Sequence, residues 1–388
     1  MPPPEGQNRS TMSTPPTDTP ATGRRPRPRQ RLLLAIGIPV ITLAVAAGSF
    51  FAFGGSESRE DGRSLADACQ GALSKSDLAA LLGSDRLHAG QRTDAARGAG
   101  WVDRCVVQAR GGASGVVELN IGWADEAQGA LSRLGRSGSS QDAVNAVPIG
   151  HGWSGTVVAG GPTADAAVLL PCRGIAKSLL VSASAASLGK DAPFRDPKTV
   201  GTLARLVTGT AERAAGKLEC EAVPGTSLQT LAPPPLGGDD AVPLDRAQGT
   251  CRALRGTGSG SGRAVLETAA DDGPIEDCFI TDGHGKRLYH LGAYYGPYAR
   301  DLGADPPGEQ KLTSPSGTDG KTGDSWATAG CRAFFGKARF TLTSARGENA
   351  SDQDERRAQR EMLTAFARDA VKRHGCTDLA LPRVNPAP

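Results

Sequence analysis

The chain has 388 residues, of which 44 are Lys or Arg and 41 are Asp or Glu, and its formal net charge at pH 7 is +3. Six of the arginines but only two acidic residues, Glu5 and Asp18, lie in the first 31 residues, so the remainder carries a slight excess of acid. A nucleic-acid-binding domain needs a basic face of its own, and this charge balance predicts no nucleic-acid partner.

The N-terminal segment predicts a membrane anchor. Residues 1–31 are polar and Pro/Thr-rich, too poor in apolar surface to fold, which predicts a disordered tail. Residues 32–54 contain no charged side chain, and as a helix they extend about 34 Å, enough to cross a bilayer core of about 30 Å. Because the arginine cluster 24–31 precedes this run, the positive-inside rule places the N-terminus in the cytoplasm and the C-terminal domains outside the cell.

This anchor makes the membrane a predicted partner of the chain, through one helix. A cleaved signal peptide is the alternative, although the apolar run is longer than the roughly 7–15 residues of a signal h-region. Residues 55–64 are predicted to form a polar tether between the membrane and the first domain. The expected location is the cell membrane.

Residues 65–223 are predicted to form a first extracytoplasmic α+β domain. Its sequence signals are a cap and a glycine stop around a short helix, period-two alternation in the strands, and an Asp-Pro start on a long amphipathic helix. In chain order the predicted elements are helix 76–82, strand 117–123, helix 125–134, strands 166–170 and 178–184, and helix 197–218.

A Pro/Gly-rich stretch, 224–245, is predicted to link this domain to a second α+β domain at 246–380. Alternation at 339–343 predicts a strand, and 352–374 predicts a long helix that Gly375 ends. A Gly/Ser loop at 255–263 stands where the first domain has its short helix. Residues 381–388 are predicted to be a disordered tail. The predicted fold class is α+β, with two tandem domains that each pack an antiparallel sheet against a long C-terminal helix.

Eight cysteines fall into two matching sets of four, and nearby sequence repeats with them. Cys172-Arg-Gly-Ile-Ala-Lys corresponds to Cys331-Arg-Ala-Phe-Phe-Gly-Lys. In each set a strand and the helix that follows it have about the same length, roughly 33 to 40 Å, so the helix returns its cysteine to the cysteine before the strand. The predicted disulfides are Cys69–Cys105, Cys172–Cys220, Cys251–Cys278 and Cys331–Cys376.

Disulfides on this scale are typical of an oxidising compartment. Structural zinc sites use cysteines two to four residues apart, whereas the closest cysteines here are 27 positions apart. The sequence therefore predicts no metal site, and no cofactor motif is present either.

The segment Cys69-Gln-Gly-Ala-Leu-Ser-Lys-Ser-Asp-Leu-Ala-Ala-Leu-Leu-Gly83 resembles the opening of small secreted domains in actinobacterial envelope proteins of the lipoprotein type. That largely uncharacterised family has no established activity. The resemblance covers 65–223 and, more weakly, 246–380. It implies an α+β sandwich located in the cell envelope. The chain departs from the family in having a predicted membrane helix where its members often carry a lipidated cysteine.

All four tyrosines lie within ten residues of one another, beside a histidine: Tyr289, His290, Tyr294, Tyr295 and Tyr298. Tyrosine is enriched at interfaces, so this segment is the candidate recognition patch. The alternative interpretation is an aromatic strand that fills the core of the second domain.

Serine-hydrolase and phosphate-loop motifs in the chain occur only as fragments with the wrong spacing or context. The sequence thus predicts a membrane-anchored binding protein, not an enzyme, with an unknown envelope ligand or protein as partner. A cell-envelope hydrolase with an unrecognised site is the alternative. A scaffold with a phosphorylated tail is a third hypothesis.

Overall fold

The fold is that of a computed structural model, which describes residues 61–91, 100–110, 115–136, 143–187, 192–257, 263–304, 314–319, 322–332, 336–345 and 353–383. The predicted cytoplasmic tail, the predicted membrane helix, residues 55–60 of the tether and residues 384–388 lie outside these ranges. Within the ranges, no helix is both long and apolar enough to cross a bilayer. Residues 61–64 are helical, not an extended tether, and the helical segment 61–67 buries Leu65 in the first core.

The first sheet has seven antiparallel strands in the order β1-β2-β3-β7-β6-β5-β4. Its strands are β1 (Leu87–Gln91), β2 (Trp101–Ala109), β3 (Gly115–Trp123), β4 (Ala146–Gly150), β5 (Trp153–Gly160), β6 (Thr163–Pro171) and β7 (Ser178–Ser187). Two helices accompany it, α1 (Lys75–Leu82) and α2 (Pro197–Lys217).

Both helices of the first half begin at a capping side chain, but α1 starts at Lys75, one residue before the predicted start, and its cap is Ser74. The Ser74 hydroxyl accepts a hydrogen bond from the Asp77 amide at 3.3 Å, and Gly83 ends α1 with φ of 63°. Asp196 caps α2 by accepting from the Thr199 amide at 2.8 Å. One face of α2 is buried against the sheet, as the predicted apolar stripe requires.

The second sheet repeats this topology. Its order is β12-β13-β14-β11-β10-β9-β8, and β15 pairs with β13. Its strands are β8 (Val242–Pro243), β9 (Ala264–Glu267), β10 (Ile275–Thr281), β11 (Arg287–Tyr295), β12 (Gly317–Thr318), β13 (Ser325–Cys331), β14 (Gly336–Ser344) and β15 (Thr377–Ala380). The path β1-β2-β3-β7-β6-β5 corresponds strand for strand to β9-β10-β11-β14-β13-β12. Helix α3 (Pro297–Ala304) follows β11, and the long helix α4 (Gln353–Arg373) follows β14.

The four disulfides are those predicted, each within one half of the repeat. Their Cα–Cα distances are 5.6 Å for Cys69–Cys105, 4.9 Å for Cys172–Cys220, 5.2 Å for Cys251–Cys278 and 4.3 Å for Cys331–Cys376. Two of them fasten the end of a long helix to the strand layer beneath it. The pairing indicates an oxidising, extracytoplasmic environment.

Each sheet has two buried faces. One face packs against the long helix of its own half and forms an apolar core with it. The opposite faces meet in a third cluster, which contains Leu169 and Leu180 of the first sheet together with Tyr294 of β11 and Tyr298 of α3. The two sheets are therefore part of one compact unit, which extends from Ser58 to Pro388.

The predicted helix 125–134 is wrong. The structure has turns there and a single 3₁₀ turn, Ser132–Leu134. Gly129 has φ of 68°, outside the helical region, and the Leu131 amide donates to the Asp301 carboxylate at 3.0 Å. Contacts with the second half thus override the local helical tendency.

The linker is not a free tether. Leu228 is 2 % exposed, the Trp153 indole donates to the Thr226 carbonyl at 3.0 Å, and Arg205 donates to the Gln229 carbonyl at 3.0 Å. At its other end the linker supplies β8, an edge strand of the second sheet. The boundaries 224 and 245 stay a prediction, but these contacts tie the linker to both halves.

Candidate functional site: a basic cleft between the sheets

The residues of the predicted recognition patch lie inside the protein. Tyr289 is 3 % exposed, and His290, Tyr294, Tyr295 and Tyr298 are 0 % exposed. Their side chains fill the second core and the layer between the sheets. A recognition patch needs accessible rings, so the structure favours the alternative interpretation of this segment as core.

Arg136 and Asp277 form a buried ion pair between the two sheets. The guanidinium binds the carboxylate through two contacts, Nη1 to Oδ2 at 2.6 Å and Nη2 to Oδ1 at 2.7 Å. The same carboxylate accepts from the Ala146 amide at 2.8 Å and lies 2.8 Å from Nε2 of His290. This network joins the segment before β4 to the middle of β10 and β11.

The charges of this network are matched. Burial alone would raise the pKa of Asp277, but the charge of Arg136 and the hydrogen bond with His290 outweigh it and hold the pKa far below its ordinary value. Burial lowers the pKa of His290, and the neighbouring carboxylate offsets this only in part. His290 is therefore neutral at pH 7. Because the charges of Arg136 and Asp277 neutralise each other inside the protein, we assign this network a structural role.

A second buried ionic cluster lies at the end of α4. The Glu276 carboxylate accepts from Nη1 of Arg373 at 2.9 Å and from the Tyr295 hydroxyl at 3.3 Å, and it also contacts His374. Burial would raise the pKa of Glu276, but the contacts with His374 and Arg373 lower it. This cluster fastens α4 to β10.

A cavity of about 540 Å³ lies between the sheets, open to solvent. We call it the inter-sheet cleft. Its walls are the turn after β3, the start of β7, the first turn of α3 and the start of β14. The lining residues are Ala124, Asp125, Ala176, Lys177, Ser178, Gly296, Pro297, Ala299, Arg300, Gly336, Lys337 and Arg339. Four of them are basic and one is acidic.

Two of the four cations are engaged with neighbouring groups. Nζ of Lys177 lies 2.7 Å from the carboxylate of Glu126, in an exposed ion pair. Nη2 of Arg300 donates to the Ala124 carbonyl at 2.7 Å and to a second carbonyl in the same turn. These contacts hold Lys177 and Arg300 at the wall of the cleft and leave the cleft open.

Arg339 is the cation whose charge is least compensated. It pairs with Tyr294 across β14 and β11, so its side chain lies on the face of the second sheet that meets the first. Nη1 is buried without a hydrogen-bond partner, and burial lowers the pKa of Arg339 with no opposing carboxylate. Among the described residues, neither Arg339 nor Lys337 forms an ion pair. The cleft thus holds positive charge that the described protein does not neutralise.

Ser178 supplies a second unpaired donor. The residue is 2 % exposed at the start of β7, and its hydroxyl is buried without a hydrogen-bond partner. Leaving a buried polar group unpaired costs about 1–3 kcal/mol. The cost is recovered if a ligand bonds to the group.

Hydrogen bonds within each half and between the two halves fix the walls of the cleft. The Gly296 amide donates to the Lys337 carbonyl at 2.9 Å, and the Ala124 amide donates to the Ser178 carbonyl at 2.8 Å. Since Arg300 also binds the Ala124 carbonyl, these bonds connect β14, α3, the turn after β3 and β7 in one frame. A frame of this kind lowers the entropy lost when a ligand binds.

A second cavity of about 540 Å³ borders the linker, and it makes a weaker site. The carboxylates that line it already accept backbone hydrogen bonds. Glu267 accepts from three amides near Cys251, Asp240 from the Leu236 amide, and Asp271 from the next amide along the chain. Among the described residues, no cluster of three or more His, Cys, Asp or Glu side chains is arranged to hold a metal ion.

The sequence did not identify the basic residues of the cleft, but it contained a signal. The repeated cysteine segments end in Lys177 and Lys337, and both lysines line the same cleft. Ser178 and Arg339 follow them by one and two positions. The alignment of the repeats did not show that the two segments meet, because that depends on how the sheets pack.

No family model and no curated protein matches the chain. Among solved structures, the di-domain ARO/CYC StfQ from the steffimycin biosynthetic pathway is 14 % identical, with coverage of 74 % of this chain and 85 % of that chain and a TM-score of 0.13. A TM-score this low carries no argument about fold or function. The resemblance to actinobacterial envelope domains stays a prediction.

Proposed function

We propose that this chain is a membrane-anchored extracytoplasmic binding protein whose inter-sheet cleft takes a negatively charged ligand of the cell envelope. The observation that carries the proposal is the unneutralised positive charge of Lys337 and Arg339 inside a preorganised cleft. Electrostatic attraction concentrates anions at such a site, and low-dielectric walls strengthen the attraction. The two halves act together, because each supplies half of the cleft.

Two features support the proposed location. The four disulfides indicate an oxidising compartment outside the cytoplasm. The apolar run 32–54, preceded by arginines, favours an anchor with a cytoplasmic N-terminus and extracellular domains. In this arrangement the ligand is a component of the envelope or reaches the protein through it.

The composition of the cleft supports binding over catalysis. The lining holds four cations, the Ser178 hydroxyl and one acid, Asp125, and this balance suits the binding of an anion. The hydrolase alternative stays a prediction. A serine-directed covalent probe tests it, because specific labelling of Ser178 would favour an enzyme.

Photo-crosslinking in intact cells tests the proposed function. A benzophenone amino acid replaces Ala176, an exposed residue of the cleft wall, in the full chain. The matched control places it at Arg357, an exposed residue of α4 outside the cleft. We expect an adduct of defined mass at position 176 but not at 357. A cleft that stays unmodified in cells, or adducts that are the same at both positions, would contradict the proposal.

A further inference from the structure

We infer that the ligand of the inter-sheet cleft carries a phosphoryl group, which Arg339 and Ser178 hold by its oxygens. This inference rests on the proposed function and adds the chemical class of the ligand. Both donors are buried and unpaired, one at the start of each equivalent strand, β7 and β14. Guanidinium and hydroxyl groups are common partners of phosphate oxygens.

The charge of the cleft favours an anionic ligand. Four cations, Lys177, Arg300, Lys337 and Arg339, line the cleft. The carboxylates near them are Asp125 in the lining, Glu126 in its ion pair with Lys177, and Asp301, which interacts with Arg300. One positive charge is left over for a ligand.

The arrangement of the donors favours a phosphoryl group over a carboxylate. They come from three elements that line the cleft: Ser178 from β7, Arg339 from β14 and the backbone amide of Ala299 in the first turn of α3, because Pro297 has no amide hydrogen. The amides of a first helical turn lack partners within the helix and attract anions. A tetrahedral group can direct oxygens to three sides at once, whereas the two oxygens of a carboxylate lie in one plane.

The size of the cleft indicates an organic phosphate. A cavity of about 540 Å³ falls in the range that holds small organic ligands, about 300–1,000 Å³. Part of its wall is apolar, formed by Ala176, Pro297 and Ala299, and the neighbouring Ile175 is 46 % exposed. An ester places its phosphoryl group on the donors and its organic part on this wall.

Calorimetric titration of the purified full chain, in neutral detergent micelles, tests the inference. The probes are phenyl phosphate, a free phosphate ester, and dihexanoyl phosphatidylglycerol below its micelle concentration, a lipid headgroup. Benzoate is the carboxylate control, since it shares its ring with phenyl phosphate. We expect one of the phosphates to bind at least about tenfold more tightly than benzoate, and the tighter of the two identifies the source.

Variants assign the binding to the two donors. Arg339→Gln should weaken phosphate binding about tenfold or more, and Ser178→Ala about threefold or more. Neither change removes a hydrogen bond of the described protein, so both variants should unfold at or above the temperature of the parent, which separates lost binding from lost folding. Arg357→Gln removes the same charge on the exposed surface of α4 and should bind like the parent.

Equal affinity for benzoate and both phosphates, an absence of phosphate binding, or unchanged affinity in Arg339→Gln would overturn the inference. These results are distinct from a failure of the proposed function. Crosslinking at position 176 without phosphate binding leaves a cleft with another kind of ligand. Phosphate binding without an adduct in cells keeps the site chemistry and removes the proposed role.

Discussion

Arg136 and Arg339 both extend into the layer between the two sheets, but only one of them has a counter-charge there. Arg136 is 2 % exposed and binds the Asp277 carboxylate through two contacts, whereas Arg339 is half-buried and Nη1 has no partner. Removing one partner of a buried ion pair is strongly destabilising, because it leaves an uncompensated charge. The comparison indicates that the first arginine joins the two halves and that the second is kept free for a ligand.

The two arginines also divide the inter-sheet layer. Around Asp277 the layer is closed around the buried ion pair, with Phe279 stacked on His290 at 4.2 Å between ring centroids. Around Arg339 the layer opens into the cleft. The Arg136–Asp277 contact holds the two halves together, and the inter-sheet cleft lies beside it. The tandem repeat thus creates a site that neither half contains alone.

The largest effect is expected from breaking the buried pair. Asp277→Ala leaves Arg136 and His290 without their common carboxylate, and we expect a loss of about 3–5 kcal/mol in unfolding free energy. Denaturant unfolding of the full chain with its disulfides intact measures it. Asp239→Ala, in the exposed part of the linker, is the control and should change stability by less than about 0.5 kcal/mol. A loss below about 1 kcal/mol for Asp277→Ala would show that the pair does not join the halves.

Lowering the pH should weaken the contact between Arg136 and Asp277. The pKa of Asp277 is lowered on folding, so its contribution is complete above about pH 4, the unfolded value, and is lost as the pH falls further. His290 also has a lowered pKa, and because the unfolded chain takes up this proton first, stability begins to fall below about pH 6.5.

Unfolding temperatures of the parent and Asp277→Asn across pH 3–7 measure this dependence. The gap between the two proteins should be widest at neutral pH and should narrow by about 1 kcal/mol as the pH falls from 4 to 3. A constant gap over the whole range would contradict the assigned charge state of Asp277.

Asp165 offers the opposite case, a half-buried acid that pairs with no cation among the described residues. Burial raises its pKa to about 6, and a hydrogen bond from Ser184 offsets this only in part. Because the folded state holds the proton more tightly than the unfolded state, the ionised group lowers stability above about pH 6 and has no such cost below about pH 4. Asp165→Asn should therefore stabilise the protein by about 1–2 kcal/mol at pH 7.5 and hardly at all at pH 4. Equal gains at both pH values would show that the effect is not electrostatic.

The smallest effect on stability is expected at Arg339. Arg339→Gln should leave the unfolding free energy within about 0.5 kcal/mol of the parent, or raise it, because it removes a buried donor that has no partner. Arg136→Gln, measured in parallel, should destabilise by several times more, since it leaves Asp277 unpaired. Similar losses in the two variants would remove the distinction between a structural and a ligand-binding arginine.

Much of the fold could be predicted from the sequence. Period-two alternation predicted the strands at 117–123, 166–170, 178–184 and 339–343, period-3.6 patterns predicted the two long helices, and comparison of strand and helix lengths predicted all four disulfides. These features depend on residues close together in the chain or repeated in both halves. The predicted helix 125–134 failed because its amides and carbonyls bind Asp301 and Arg300 of the other half.

The site could not be predicted in the same way. The four tyrosines are clustered in the sequence, but composition does not show which face of β11 is covered. In the structure both faces are buried. Arg339 is one ordinary residue of an alternating strand. Its importance depends on the first sheet, which covers it without supplying a carboxylate.

A crystal structure of the full chain soaked with 4-bromophenyl phosphate would test the central claim most directly, because bromine locates the ligand by anomalous scattering. The account predicts a bromine peak inside the inter-sheet cleft, with phosphate oxygens within hydrogen-bond distance of Nη1 of Arg339 and of the Ser178 hydroxyl. A saturated crystal with only solvent in the cleft, or with the ligand bound elsewhere on the protein, would contradict it.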